Sequence, residues 1–196
     1  MSSRKADRRR EILDEATRLF QSFGYRKTTL DDVAGAVRIR KSSLYHYFDS
    51  KDELFRAVVS DMIGEDRERI RKVMEKEQPL RRILAEYWET MKRSHEQAQP
   101  GMTPLIDELS EFYPVIRDIV EDHFNKTSEI LEERMRRAVK EGELPEDAPV
   151  GDLAVLLTAV QEEYNHHRFF FPAFGKLGEK PERIIDLIFC WLKKAE

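Results

Sequence analysis

Hydrophobic residues recur along most of this sequence at intervals of three and four positions, which is the period of an amphipathic helix. No segment shows the strict alternation of apolar and polar residues that indicates a β-strand. Glycine and proline, the residues that most often interrupt helices, contribute only eight positions each among 196. The pattern therefore predicts an all-α protein of about nine helices.

The predicted helices form a short N-terminal group and a longer C-terminal group. Ser50 and Glu53 have the spacing of a capping box, so we expect a long helix to begin at about residue 51. We expect residues 1–50 to be one domain and residues 51–196 to be a second, larger helical domain. The predicted helices cover residues 6–23, about 28–37, 41–48, 51 onward, 79–97, 102–109, 114–141, 150–171 and 180–194.

The three N-terminal helices have the arrangement of a helix-turn-helix. The first carries an apolar stripe and ends at Gly24, a residue suited to the left-handed conformation just past a helix end. Two short helices follow, and Leu44 and Phe48 share one face of the second. In this motif the second helix enters the major groove of DNA. The expected stripe of the first helix is Ile12, Ala16, Leu19, Phe20 and Phe23.

The charge distribution supports a DNA-binding domain although the total charge does not. The whole chain has a formal net charge of −4, and nucleic-acid-binding domains are usually basic. Residues 1–48 contain 11 Lys and Arg against six Asp and Glu, a balance of +5, whereas residues 49–196 carry −9. A basic N-terminal domain on an acidic body is typical of specific DNA binding, and it disfavours a nonspecific architectural protein.

Several other classes are excluded by what the sequence lacks. It has no signal peptide and no membrane-spanning apolar run, so we expect a cytoplasmic protein without a membrane partner. The single cysteine, Cys190, lies in an apolar stretch and is predicted to be a buried thiol in a reducing compartment. No phosphate-binding loop or nucleophile motif is present, so we expect neither an enzyme nor a cofactor.

The segment Thr28-Thr-Leu-Asp-Asp-Val-Ala-Gly-Ala-Val, followed by Lys41-Ser-Ser-Leu-Tyr-His-Tyr-Phe-Asp-Ser-Lys-Asp-Glu-Leu-Phe, resembles the signature of the TetR family of bacterial transcriptional regulators. The resemblance covers roughly residues 8–60. It implies a dimeric, repressor-like protein with a three-helix DNA-binding domain and a helical body that binds an effector. This chain departs from the family at the turn, where Arg38-Ile39-Arg40 replaces a sequence similar to Gly-Val-Ser.

The candidate DNA-binding residues come from the second half of this region. Basic and hydroxyl side chains near the start of the recognition helix can reach base edges, and the resemblance implies that others contact phosphates. Either Thr28 or Thr29 is expected to cap the preceding helix. The base-reading candidates are Arg40, Lys41, Ser42, Ser43 and His46, and the remaining DNA-binding candidates are Thr28, Thr29, Tyr45, Tyr47 and Lys51.

Aromatic and methionine residues in the body are candidates for an effector pocket, although an ordinary core would use the same residue types. The hypothesis is that a small hydrophobic or amphipathic molecule, of a class that includes fatty acyl compounds, binds between residues 80 and 170. The alternative is a regulator or activator that needs no ligand, with a body that serves only dimerisation or protein contacts. The ligand-binding candidates are Tyr87, Trp88, Met91, Met102, Phe112, Phe124, Tyr164 and His167.

The last two helices are predicted to form a homodimer interface, because paired apolar stripes from two subunits make a four-helix bundle. The alternative is that they only close the monomer core. Glu163 and His166 have the spacing of a di-iron ligand pair, but no second pair occurs, so no metal site is expected. His123 is predicted to have no partner. The two stripes are Leu153, Leu156, Leu157, Val160 and Ile184, Leu187, Ile188, Trp191.

Overall fold

The computed structural model describes residues 3–98, 109–167 and 182–194, and within these ranges every regular element is a helix. This confirms the all-α prediction. The predicted short helix at 102–109 lies almost entirely outside the described residues. The eight helices are α1 (Ser3–Lys27), α2 (Leu30–Ala36), α3 (Lys41–Leu44), α4 (Lys51–Met74), α5 (Leu80–Ala98), α6 (Leu109–Lys140), α7 (Val150–His167) and α8 (Glu182–Lys194).

The chain divides into two compact units, and each unit consists of two segments that are separated in the sequence. The first unit contains Met1–Gly64 and Gln97–Val120, and the second contains Glu65–Glu96 and Glu121–Glu196. The sequence-based division at residue 50 therefore differs from the division by packing. The physical reason is that Leu54 on α4 is fully buried among the N-terminal helices, where the sequence pattern also placed it.

The first unit has a core of aliphatic and aromatic side chains from α1, α2, α3 and the start of α4. Phe20 and Phe55 meet edge to face with ring centroids 5.0 Å apart, and Tyr25 lies 4.8 Å from Phe55. Ile116, from α6, is also buried in this core. The N-terminal helices thus share their core with a residue that follows them by more than fifty positions.

Arg56 on α4 forms hydrogen bonds with the part of α6 that surrounds Ile116. Its guanidinium donates two hydrogen bonds to the Asp118 carboxylate, at 2.7 and 2.6 Å, and a further one to the carbonyl of Val115. The hydrogen bonds from Arg56 lower the pKa of Asp118 to about 2. The carboxylate is therefore ionised, and the pair retains both charges, at any pH well above that value.

Gly24, the residue expected just past the end of the first helix, has φ 83° and ψ 168°, so the helical backbone that begins at Ser3 is interrupted there as the sequence pattern predicted. A short helical stretch follows, and α1 includes both parts up to Lys27. The predicted burial of Phe23 is wrong, because its side chain is 53% exposed.

The turn between α2 and α3 has Arg38 where the family usually has glycine, and Arg38 adopts a backbone conformation that glycine favours. Arg38 adopts the left-handed conformation with φ 55°. Its amide donates to the Gly35 carbonyl at 3.1 Å, and the Ile39 amide donates to the Ala34 carbonyl at 2.9 Å. These are the two bonds of a Schellman motif, in which glycine usually occupies the position held here by Arg38.

The second unit has its own core, which includes residues from α4 through α8. Leu153, Leu157 and Ile184 are buried in it, whereas Leu156 and Leu187 are more than half exposed. The predicted dimer stripes are therefore divided between the monomer core and the surface.

Two further findings concern the same part of the protein. Cys190 is exposed, so the prediction of a buried thiol is wrong. The cysteine is three residues after Leu187, so it shares the exposed face of α8 with that side chain, whereas Ile184 and Ile185 are buried. None of the described helices has the length and apolar character required to cross a membrane.

The left-handed Arg38 leads to a prediction about stability. Replacing it with glycine removes the clash between Cβ and the backbone, so Arg38→Gly should raise the free energy of unfolding by about 1 kcal/mol. Ala36→Gly, within α2, should lower it by a similar amount because glycine disfavours helix. Denaturant unfolding measures both. If Arg38→Gly destabilised the protein as much as Ala36→Gly, the strained turn would be disproved.

Candidate nucleic-acid interface

Helix α2 begins with a complete capping box. The Thr29 side chain accepts a hydrogen bond from the Asp32 amide at 3.2 Å, and the Asp32 carboxylate accepts from the Thr29 amide at 2.8 Å. Hydrogen bonds from Thr29 lower the pKa of Asp32. Of the two threonines predicted as possible caps of α2, Thr29 is therefore the one that forms the cap. Its hydroxyl also donates to Asp32, so the cap fully engages this side chain.

Thr28 lies inside the first unit. Its side chain is 2% exposed, and its hydroxyl donates to the carbonyls of Gly24 at 2.8 Å and Leu19 at 3.3 Å. These bonds satisfy carbonyls at the point where α1 is interrupted. The structure therefore gives Thr28 a position in the core, away from the exposed surface of the motif.

Helix α3 is a single turn, shorter than the predicted segment 41–48. The chain then continues in turns, with the Phe48 amide donating to the Leu44 carbonyl at 3.1 Å. Leu44 and Phe48 are buried as predicted, and the guanidinium of Arg9 lies 4.9 Å from the centre of the Phe48 ring. Of the candidate residues, Arg40, Lys41, Ser42, Tyr45 and His46 are exposed, while Ser43 and Tyr47 are half-buried.

Lys51 is held at the start of α4 by Tyr25. Its ammonium donates to the Tyr25 carbonyl at 3.0 Å and lies 4.1 Å from the centre of the Tyr25 ring. The Tyr25 hydroxyl in turn donates to Asp52. The predicted cap is present, because Ser50 accepts from the Glu53 amide, but Glu53 reaches back to the Asp49 amide, one residue earlier than a standard capping box.

Lys41, the first residue of the recognition helix, forms an ion pair with Asp31 across the motif. The distance from its ammonium nitrogen to the Asp31 carboxylate is 2.7 Å, and both side chains are exposed. The hydrogen bond to Asp31 raises the pKa of Lys41. Sequence reasoning missed this pair because the residues lie ten positions apart on different helices. The net charge of residues 1–48 does not reveal the pair either, because the opposite charges of Lys41 and Asp31 cancel in the sum.

The ligand-binding candidates are only partly brought together. Tyr87, Trp88, Met91 and Tyr164 are buried in the core of the second unit, and Phe124 is half-buried. Met102 and the side chains of Phe112 and His167 lie outside the described residues. Within the described ranges, no group of acidic, histidine and cysteine side chains is arranged to hold a metal ion.

A second prediction in this unit, after that for Cys190, is wrong. His123, expected to lack a partner, lies with its Nε2 3.6 Å from the Glu162 carboxylate. Thirty-nine positions separate the two residues, so the contact depends on how α6 and α7 pack and leaves no local signal in the sequence.

Residues 12–58 match the family model described as "Bacterial regulatory proteins, tetR family". The N-terminal domain belongs to the TetR family. The match covers the helix-turn-helix and its supporting helices, which confirms the resemblance seen in the sequence. The body lies outside this match.

Individual relatives of this TetR-family domain give the same result. The chain is 38% identical over 98 residues to the "HTH-type transcriptional repressor KstR2" of Rhodococcus jostii, a match that spans 48% of each protein. The chain thus matches about half the length of this curated relative.

Two solved structures resemble almost the whole chain. A putative TetR-family regulator from Mesorhizobium loti has a TM-score of 0.76 and 18% identity, over 96% of this chain and 98% of that one. A complex of SmeT with triclosan has a TM-score of 0.70 and 19% identity, over 93% of this chain and 90% of that one. At these identities the likeness establishes the fold of the body.

The ion pair between Lys41 and Asp31 leads to a prediction about DNA binding. Asp31→Asn removes a negative charge from the DNA-facing surface and frees Lys41, so affinity for duplex DNA should rise about fivefold at low salt. Fluorescence anisotropy over a salt series measures the change. Asp147→Asn, an equal change of charge on an exposed residue of the second unit, should have little effect. Equal affinities for Asp31→Asn and the unaltered protein would contradict the assignment.

Proposed function

We propose that this protein is a sequence-specific DNA-binding transcriptional regulator that acts as a repressor. The observation that carries the proposal is the exposed row of Lys41, Ser42, Tyr45 and His46 around a recognition helix whose inward residues are buried. A TetR-family domain with basic and hydroxyl groups on that row has the donors needed for base edges and phosphates. The name of the Rhodococcus relative, a transcriptional repressor, supports the direction of regulation.

Different residues have different proposed roles. Arg40, Lys41, Ser42, Ser43 and His46 read base edges, and Tyr45 and Tyr47 contact phosphates. The Thr29 hydroxyl is engaged in the cap, so its part in DNA binding is to hold the start of α2. Lys51 retains ammonium donors beyond its bond to Tyr25, so one group both orders the start of α4 and contacts phosphate.

The proposed regulator works as a homodimer that binds two half-sites about 34 Å apart on a near-palindromic operator. The described parts of α7 and α8 support this, because Val155 and Leu156 on α7 and Leu187 on α8 are large apolar side chains that are about half exposed or more. In an isologous contact the same surface of each subunit packs on that of the other, so these residues would be buried reciprocally in both subunits.

A small apolar effector is proposed to release the repressor from DNA. The complex of SmeT with triclosan, a solved structure of this fold with a small molecule, supports the binding of an effector. The effector must bind the DNA-free state more tightly than the DNA-bound state. The long helix α4 is the proposed lever, since Leu54 and Phe55 belong to the core of the first unit and Ile70 and Val73 to that of the second.

The DNA-binding proposal predicts a defined target. Duplexes selected by the purified protein from a random pool should contain near-palindromic sites, and binding to them should survive an excess of bulk DNA at physiological salt. Lys41→Ala should change the bases enriched at one position of each half-site. Tyr45→Phe, which removes a phosphate contact, should weaken binding to all sequences alike. The proposal would be wrong if selection enriched no sequence, and the base-reading role of Lys41 would fail if both variants behaved identically.

The dimer proposal predicts the effect of one charge. Leu187→Glu places a carboxylate in the apolar surface of α8, so the dissociation constant of the dimer should rise at least about tenfold. Phe23→Glu makes the same change at an exposed apolar residue of α1 and should leave the dimer intact. Sedimentation equilibrium at micromolar concentration measures both. A monomeric unaltered protein would overturn the proposal.

A further inference from the structure

The positive charge of the N-terminal region is concentrated at the start of α1. Residues 4–10 contain five Lys and Arg against one acidic residue, Asp7, which gives a balance of +4. Residues 11–48, which include the whole helix-turn-helix, contain six basic residues against five acidic ones and carry only +1. The basic character that indicated DNA binding therefore lies mostly outside the motif that reads the bases, and it requires its own explanation.

Carboxylates of the same unit pair with two of these five cations. Arg8 forms an ion pair with Glu11, and Arg10 forms ion pairs with both Asp14 and Asp61. The other three side chains, which we call the α1 basic patch, have no carboxylate partner among the described residues. They are Arg4, Lys5 and Arg9.

Two residues of the patch lie at the end of α1 that suits positive charge least. The peptide dipoles of a helix add to a partial positive charge at its amino-terminal end, which disfavours Lys and Arg there. The first turn of α1 contains no acidic residue to offset this effect. Because Arg4 and Lys5 are also exposed, neither packing nor pairing with the described residues accounts for them. Their positions indicate an anionic partner outside the chain.

Arg9 shows where the patch lies relative to the recognition segment, which we define as residues 41–48. Its guanidinium is 4.9 Å from the centre of the Phe48 ring, and Phe48 is the buried last residue of that segment. Lys5 precedes Arg9 by four residues, so it lies on the same side of α1, about 6 Å closer to its amino terminus. The patch therefore adjoins the carboxyl end of the recognition segment within the first unit.

Duplex DNA is the partner that fits both this charge and this position. When a recognition segment enters the major groove, the sugar–phosphate backbone borders it, and phosphates become the anions nearest to neighbouring cations. The cation–π contact with Phe48 holds the face of the Arg9 guanidinium, whereas its N–H donors point along the guanidinium plane and can bind an acceptor. An acidic protein surface would match the charge, but it would not explain why the patch adjoins the recognition segment.

We propose that Arg4, Lys5 and Arg9 bind phosphates of the DNA backbone beyond the bases that the recognition segment reads. This rests on the proposed function for the position of that segment on DNA. The contacts add affinity without base preference, because the phosphates are the same in every sequence. They supply the electrostatic attraction that residues 11–48, with a balance of only +1, largely lack.

The first test compares the salt dependence of DNA binding in two double variants of the full-length protein. Each phosphate contact contributes about 0.9 to the slope of log Kd against log salt concentration. Arg4→Gln combined with Lys5→Gln should therefore lower the slope by about 1.8 and weaken binding about tenfold at low salt, on mixed-sequence and selected duplexes alike.

The matched control is Arg82→Gln combined with Lys140→Gln. It removes the same two side-chain types from exposed positions of the second unit, so the slope and the affinity should stay nearly unchanged. Fluorescence anisotropy measures both quantities. The proposal would be overturned if the α1 double variant kept the slope of the unaltered protein, or if both double variants lowered it equally.

The second test asks whether the patch contacts phosphates or bases. Selection from a random pool with the α1 double variant should enrich the same site as selection with the unaltered protein. Ethylation of phosphates outside that site should weaken binding by the unaltered protein and have less effect on the double variant. A change in the enriched bases, or identical ethylation interference for the two proteins, would contradict the phosphate assignment.

The failure of the patch and the failure of the proposed function give different results. A selected site that is bound with the same salt slope whether or not Arg4 and Lys5 are present contradicts the patch and leaves the sequence-specific regulator standing. A lower slope of the α1 double variant on mixed-sequence DNA, with no sequence enriched by selection, supports the patch and contradicts sequence-specific regulation.

Discussion

Leu44 and Phe48 are almost completely buried in the same core as side chains of α1 and α4, and the proposed DNA-binding surface depends on this burial. A helix of four residues is far too short to be stable by itself, so packing must hold it in place. Once these two side chains are fixed, Tyr45 and His46 between them are exposed, while Tyr47 packs partly against the core. The exposed donors of the recognition helix therefore owe their direction to apolar contacts on its opposite side.

The sequence predicted those elements of the fold that depend on local pattern. The helices, the burial of Leu44 and Phe48 and a threonine cap at residue 28 or 29 follow from spacing and residue type within one or two turns, and the structure places the cap at Thr29. It did not predict that Ile116 completes the N-terminal core, because nothing in an apolar stripe identifies the core it joins. The exposure of Cys190 was missed for the same reason, since its apolar neighbours occur on more than one side of α8.

The candidate sites divide in the same way. The exposed row on the recognition helix could be predicted, because helical period and residue type define it. The contact between Lys41 and Asp31, and the one between His123 and Glu162, could not, since each joins different helices and depends on the distance at which they pack. Thr28, another candidate, is a residue type common at DNA surfaces, but its hydroxyl is bonded to carbonyls inside the domain, which the sequence also did not reveal.

The participation of Ile116 in the N-terminal core has a consequence for synthesis of the protein in the cell. A chain emerging from the ribosome exposes α1 to α4 first, and domains tend to fold as units when their residues become available. Here Ile116, a buried core residue of the first unit, appears only after more than half of the chain has been made. The core around the nascent N-terminal helices is therefore incomplete until the first part of α6 has been translated.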